Sequence, residues 1–446
     1  MKPIFKDEKK FLEENLNLSL PDNCWRCGSK IYLNHFDKNP FLSLSVDLLN
    51  NNLILKKYVE PTNKNFSLEE EYLFVKEELE EKVIESIKMT KKYILENLYN
   101  KFIVSISGGK DSAVMKAIVD LSIEELSKQN IDIKYRLIYF NTSNDTAQTY
   151  LHLKNYYQIR KEDIINPSTG FYQWIVKNKN YFTPSIVMRN CCSTYKEGQL
   201  SKIIDKNEES IIFLGMRNKE STKRKHYDYD LNEAQLKAGK KLNVSKNCKR
   251  FLPIVNWSDS EVWLYILNRK IEYNQMYNLG FNRTGCLICP NQQDYTELLI
   301  KKFFPSQWSR WVSILTKGYE IYGIDRRLKW SLAEWCDGGR WKKAVSKEFE
   351  LTSKKATLSR IKELSKLKNI SEDIAIKYFN KKCSCGKKLN PTEIAMFLKL
   401  TGVYEKSDDN NREYLCKKCL CDFLNITIKE YKNIAIKYSE DKCNLF

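Results

Sequence analysis

From residue 81 onward the chain alternates between two hydrophobic rhythms. "EKVIESIKMTKKYILENLY" spaces its apolar residues along one face of a helix, "FIVSIS" is a short apolar run, "SAVMKAIVDLSIEEL" returns to the helical period, and "YRLIYF" is a second run. In the second helical segment Val114, Ala117, Ile118 and Leu121 stand at i, i+3, i+4 and i+7, a single apolar stripe. Strands that alternate with helices predict an α/β fold, a parallel sheet with helices on both faces. The alternation continues through "SIIFLGMR" at 210–217, read as a strand ending in a charged loop. It ends with "VNWSDSEVWLYILNRK", a helix whose start is marked by Ser258 and Glu261 in capping-box spacing and whose Trp257 and Trp263 are expected in the core.

This pattern divides the chain into four parts. Residues 1–80 are polar and Asn-rich, with short apolar pieces such as "LSLSVDLL", and read as a small cysteine-bearing accessory module. Residues 81–300 carry the α/β pattern, 301–375 look helical, and 376–446 form a tail bracketed by cysteines. No internal repeat or low-complexity tract is present.

Composition adds two constraints. A formal charge of +19 favours a polyanionic partner such as nucleic acid, or anionic small substrates, although a Lys- and Asn-rich bias gives the same number. The first twenty residues are charged throughout and no run reaches the ~18 apolar residues of a membrane span, so the expected location is the cytoplasm. In a reducing compartment the 14 cysteines read as metal ligands or catalytic thiols rather than a disulfide framework.

The chemistry gathers at three places. "SISGGKDS" puts Ser107, Gly108, Gly109, Lys110, Asp111 and Ser112 between a strand and a helix. There glycines let backbone amides approach an anion, and the positive end of the helix dipole faces it. The spacing is not that of the Walker loop. Cys191 and Cys192 are adjacent, and Cys286 and Cys289 follow after a gap of 93 residues in "RTGCLICP". Such a set suits thiolates converging on an iron–sulfur cluster, with buried free thiols or a zinc site as competing readings. Cys383 and Cys385, then Cys416 and Cys419 after 30 residues, make two short chelating pairs suited to a tetrahedral structural zinc, with Cys421 and Cys443 as alternates. Cys24 and Cys27 are half a ribbon, with His35 nearby and no assigned role. Residues 341–390 hold 14 Lys plus Arg against 5 Asp plus Glu. Five tryptophans, Trp308, Trp311, Trp330, Trp335 and Trp341, lie upstream among Arg310, Arg326 and Arg327. Those aromatics could stack on bases, or could equally form the core of a helical subdomain.

"SGGKDS" after a strand resembles the pyrophosphate loop of the N-type ATP pyrophosphatases, and four further stretches resemble the phosphoadenylyl-sulfate reductase branch of that superfamily. "NTSNDTAQT" at 141–149 keeps Thr142 and Thr149 of that family's Asp-Thr-Gly-x-x-Phe-Pro-Glu-Thr but has Asn141, Ser143 and Gln148 in place of Asp, Gly and Glu. "LGMRNKESTKR" matches Gly-x-Arg-x-x-Glu-Ser-x-x-Arg through Arg217 and Arg224, and "PIVNWSDSEVWLYI" matches a helix of the family. The doublet with Cys-x-x-Cys is similar to the four-iron four-sulfur site of adenylyl-sulfate reductases. The resemblance implies an adenine-nucleotide α-hydrolase-like fold, ATP with magnesium held at residues 107–112 and Thr142, catalytic roles for Lys110, Arg217 and Arg224, and a 4Fe–4S cluster on the four cysteines. The family's C-terminal Glu-Cys-Gly-Leu-His motif is absent while the loop is intact. That combination resembles instead the sulfurtransferases of DNA phosphorothioation systems and some iron–sulfur tRNA thiolases, and this resemblance implies an ATP-dependent, adenylylating sulfurtransferase with a sulfur donor such as a cysteine desulfurase and a nucleic-acid acceptor, DNA or tRNA. A sulfate-assimilation reductase and a non-catalytic nucleic-acid-binding protein are the alternatives.

Overall fold

The first sixty residues, where the hydrophobic pattern is weakest, fold in the computed structural model into an antiparallel sheet of five strands: β1 (Lys2–Pro3), β2 (Trp25–Cys27), β3 (Lys30–Tyr32), β4 (Leu42–Asp47) and β5 (Asn52–Tyr58), in that spatial order. Helix α1 (Lys6–Leu16) buries Phe11 and Leu12. Helix α2 (Leu68–Leu95) starts well before residue 81, because Ser67 and Glu70 form a reciprocal capping box that fixes its first turn.

The parallel sheet follows. It comprises β6 (Lys101–Ile106), β7 (Tyr135–Phe140), β8 (Ile164–Ile165), β9 (Ser210–Phe213) and β10 (Cys248–Phe251), ordered β10-β9-β6-β7-β8 with every neighbouring pair parallel. Successive residues of β6 face opposite sides. Phe102, Val104 and Ile106 pack with Leu79 and Val83 of α2 and with Val114 and Ile118 of α3 (Lys110–Ser127), whereas Ile103 joins Ile138, Ile212 and Cys248 beneath Leu200. Helices therefore flank both faces. On α3, Met115 and Val119 are buried with Val114 and Ile118, so its apolar face is wider than the four-residue stripe. Trp257 and Trp263 are core, and helix Asp259–Asn268 has the expected capping box.

The chain leaves β6 toward β7 on one side and later returns to β9 on the other. The loops at the C-terminal ends of β6 and β9 thus diverge and open a crevice where α/β sheets bind ligands.

The structure describes residues 1–98, 100–186, 189–200, 202–204, 208–239, 247–322, 330–343, 382–387, 389, 391–401 and 413–440. It divides into two units, Met1–Val345 and Ser346–Phe446. The first includes both sheets and the helices Asp294–Phe303 and Pro305–Tyr322. Trp308, Trp311, Trp335 and Trp341 are buried and Trp330 packs against the same core, so these tryptophans do not form a stacking platform for bases. Most of the basic stretch 341–390, together with Arg326, Arg327 and Cys443, lies outside the described residues. The second unit packs helices Pro391–Leu400, Lys417–Leu424 and Ile428–Glu440 around Ile394, Phe397, Leu420 and Tyr431. No described helix is long and apolar enough to cross a membrane.

Candidate active site

The Ser107–Ser112 loop joins β6 to α3 at the crevice. Gly108 takes φ +71°, a left-handed conformation that favours glycine, and it packs against the Thr149 methyl group. The loop braces itself: the Ser107 amide donates to Ser112 Oγ at 3.2 Å, and Ser112 Oγ donates to the Gly109 carbonyl at 2.9 Å. The Lys110 amide donates to Tyr277 Oη at 2.9 Å. Gly215, just after β9, lies over the start of α3, where a Cβ would fall 2.7 Å from the Asp111 carbonyl carbon and 2.8 Å from the Ser112 nitrogen. The strand ends and the helix N-terminus thus fit only with a glycine at 215.

Two cations and two carboxylates close a ring beside this loop. Lys110 Nζ lies 2.8 Å from Asp111 Oδ2 and 3.0 Å from Asp259 Oδ1. Arg217 Nε donates to Asp111 Oδ1 at 2.8 Å, Nη2 to Asp259 Oδ1 at 2.5 Å, and Nη1 to the Trp257 carbonyl at 3.0 Å. Burial alone would strip the charge from Lys110, but the carboxylates of Asp111 and Asp259 hold its pKa above the usual lysine value. Asp259 is held well below the usual carboxylate range, since Lys110 and Arg217 outweigh its burial. Arg224 stands apart, paired with Glu220, and burial lowers its pKa.

The loop after β7 connects this ring to the cysteines. Asp145 Oδ2 accepts from Tyr139 Oη at 2.5 Å, the Thr142 amide at 3.1 Å and Thr142 Oγ1 at 2.8 Å. Asn144 bonds both ways with Ile288, its Nδ2 donating to the carbonyl at 2.8 Å and its Oδ1 accepting from the amide at 3.2 Å, which fixes the Cys286–Cys289 turn. Ser143 keeps φ +52° although it lacks glycine's freedom. Its amide is held by Asn141 Oδ1 at 2.7 Å, and its Oγ accepts from the Phe171 amide at 2.7 Å.

Cys191 and Cys192 sit in a short helical turn that opens into a wider π-helical turn at Ser193–Glu197, a distortion frequent at functional sites. Hydrogen bonding to the Cys191 thiol lowers Cys192 to about 6, with Lys196 and Arg189 adding to the effect. Cys191 is raised by the same bond, then by burial, and further by Cys192, Cys286 and Cys289, so all four sulfurs share one neighbourhood. Burial pushes Cys286 up to about 11 while Lys196 pulls it down.

The second cysteine group is tighter. The sulfurs of Cys383, Cys385, Cys416 and Cys419 all lie within 4.8 Å of one another, the one such set of three or more potential ligand atoms among the described residues. The Cys416 amide donates to Cys383 Sγ at 3.1 Å, and Cys383 is lowered to about 6 because bonds from the Cys385 and Cys416 backbones outweigh its burial. Cys24 and Cys27 join no such set. Cys24 is buried in the N-terminal core with its thiol pushed up to about 12 by burial, and Cys27 is exposed.

Residues 101–292, the segment that builds both the loop ring and the doublet neighbourhood, match the family model described as phosphoadenosine phosphosulfate reductase domain. Over that stretch the chain is similar to the reductase family. Among curated proteins it is 29% identical over 272 residues to an uncharacterized protein of Methanocaldococcus jannaschii, covering 59% of this chain and 50% of the relative. It is 30% identical over 101 residues to the adenosine 5'-phosphosulfate reductase of Neisseria meningitidis, covering 23% of this chain and 36% of the relative. The chain spans at most about 60% of the length of the curated relatives it matches. Two solved structures are similar at low scores. The phosphoadenylyl-sulfate reductase of Candida auris has a TM-score of 0.31 and 14% identity, covering 45% of this chain and 87% of that one. The U34-tRNA thiolase NcsA of Methanococcus maripaludis, solved with its [4Fe-4S] cluster, has a TM-score of 0.28 and 17% identity, covering 56% and 84%.

Within residues 101–292, Lys110, Asp111 and Arg217 meet at the loop and Thr142 meets Cys286, whereas Arg224 lies outside the ring. Asp259 and Tyr277 complete the loop without having been singled out from sequence. Asp259 was visible only as the residue after a capping serine, and Tyr277 belongs to a stretch without periodicity.

Proposed function

We propose that the protein is an ATP-dependent, pyrophosphate-releasing sulfurtransferase that thiolates a nucleic acid. The observation that carries this reading is the intact Ser107–Ser112 loop, with Lys110 and Arg217 held in place, in the same domain as the four gathered thiols of Cys191, Cys192, Cys286 and Cys289. The acceptor oxygen attacks the α-phosphorus of ATP, the bond to the β-phosphate breaks, and pyrophosphate leaves against Lys110 and the loop amides; a magnesium ion bound there would supply further charge compensation. Sulfur at the sulfide level, delivered by a donor such as a cysteine desulfurase, then forms its bond to the acceptor as AMP departs.

The donor chemistry fits two different metals. A tetrahedral zinc with Zn–S near 2.3 Å places its sulfurs about 3.8 Å apart, which agrees with the tight C-terminal set, where Cys385 and Cys416 are 3.8 Å apart. A cubane cluster puts each thiolate on a different iron and holds the sulfurs further apart. That agrees with Cys191, Cys192, Cys286 and Cys289, which are gathered but form no such tight set. A 4Fe–4S cluster there would supply an iron site for sulfur.

Anaerobic purification with iron, sulfide and zinc analysis tests the assignment. Iron and sulfide should fall in Cys191→Ser while zinc stays, and a wild type without iron would contradict it. The similarity to adenosine 5'-phosphosulfate reductases favours one alternative, reduction of adenylyl sulfate. Sulfite release from that nucleotide would support it.

A further inference from the structure

We infer that Asp259 is a displaceable counter-ion of the phosphate loop, seated on Lys110 and Arg217 where a polyphosphate belongs and leaving when one binds. The inference rests on the reading of residues 107–112 as a pyrophosphate site and goes beyond it.

Both cations are almost wholly buried, Lys110 at 5% and Arg217 at 2% exposure. Their charges are matched: Asp111 and Asp259 sit on the lysine, and Asp111, Asp259 and the Trp257 carbonyl take three of the five guanidinium N–H groups. A phosphate reaching the loop therefore meets a ring whose two positive and two negative charges cancel. It gains net attraction from the two cations only when one carboxylate withdraws.

The two carboxylates are not equivalent. Asp111 opens α3, and its main chain is fixed beneath Gly215, where not even a Cβ fits. Its side chain is 22% exposed, whereas that of Asp259 is 46% exposed. Asp259 also comes from a separate element, the first turn of helix Asp259–Asn268, and its second oxygen, Oδ2, lies 3.6 Å from the Met1 amino group, a cation outside the ring. A side-chain rotation frees it without moving the helix, whose cap is made by Ser258 and Glu261. Once it leaves, the ring carries one net positive charge toward the ligand. On product release the carboxylate returns and competes the pyrophosphate off.

Binding of inorganic pyrophosphate, measured by titration calorimetry without magnesium, tests this directly. Asp259→Asn removes the competing charge and should bind about fivefold tighter or better, with slower dissociation. Asp259→Glu keeps the charge and should stay near wild type, and Lys110→Ala should lose at least about tenfold. If Asp259→Asn binds pyrophosphate as wild type does, or more weakly, Asp259 merely holds the cations in place and the inference fails alone. A loss confined to magnesium-containing buffer would make Asp259 a metal ligand, which also overturns it. If wild type and Asp259→Asn both ignore pyrophosphate, the anion site itself is wrong, and the proposed function falls with the inference.

Discussion

Glu8→Ala should cost about 3 kcal/mol of stability, because the carboxylate it removes neutralises two buried cations. Glu8 is fully buried and accepts from Lys2 Nζ at 2.5 Å and Arg26 Nε at 2.5 Å, with Tyr295 Oη at 3.3 Å. Deleting one partner of a buried ion network costs ~3–5 kcal/mol. The lower end applies here because both cations keep other acceptors. Lys2 retains the Pro3 and Tyr277 carbonyls, and Arg26 retains Gly28, Gly280 and Asn282. For a unit of this size that is a fall in Tm of roughly 4 °C, read by circular dichroism. The pH dependence has a definite sign. The Glu8 pKa is lowered in the folded protein because Arg26 and Lys2 outweigh its burial. Its contribution is therefore present above the unfolded carboxylate value near ~4.3 and lost as pH falls through the folded value. The gap between wild type and Glu8→Gln should accordingly be constant near neutrality and close in acid. The same network holds the Tyr277 and Gly280 carbonyls, and Tyr277 in turn caps the Lys110 amide, so pyrophosphate binding should weaken with it. A Glu8→Ala protein within 1 kcal/mol of wild type would refute the reasoning.

Further outcomes follow from the same contacts. Gly215→Ala forces a methyl group against the Asp111 and Ser112 backbone, and should cost ~1–3 kcal/mol together with most of the pyrophosphate affinity in calorimetry. Cys416→Ser should lower zinc, leave iron unchanged, and make the Ser346–Phe446 unit sensitive to limited proteolysis, because a structural zinc site contributes folding energy directly. Asp163→Asn, which strips Arg136 and Arg160 of a buried carboxylate at 2.6 and 2.7 Å, should lower Tm without altering pyrophosphate affinity.

With β8 and β10 missed, the rest of the parallel sheet was legible: β6 and β9 are buried on both faces and read as apolar runs, and β7, with Ile138 and Tyr139 buried, falls at 135–140 as expected. The antiparallel sheet was not. Its strands are two to seven residues long: β4 alternates as Leu-Ser-Leu-Ser-Val-Asp, but β5 buries only Leu53 of its seven, and β1, β2 and β3 are too short to show a period. The Ser107–Ser112 loop could be found from local sequence alone, since its glycines, lysine and aspartate lie within six residues. Asp259, Tyr277 and Asn144 act through contacts spanning more than a hundred positions, a separation that no local pattern records. The cysteines lie between these cases. Short pairs marked both groups, but only the three-dimensional spacing separates a site for one ion from a looser set. The tryptophans show the opposite limit, because aromatics among basic residues look alike in sequence whether they face solvent or the core.

Product analysis tests the central claim most directly. Anaerobically purified protein, incubated with α-labelled ATP, a sulfide source and bulk tRNA or DNA, should release AMP and pyrophosphate in equal amounts as sulfur enters the nucleic acid, and Lys110→Ala should abolish both. Formation of ADP and phosphate, or sulfur incorporation that does not depend on ATP, would contradict the account.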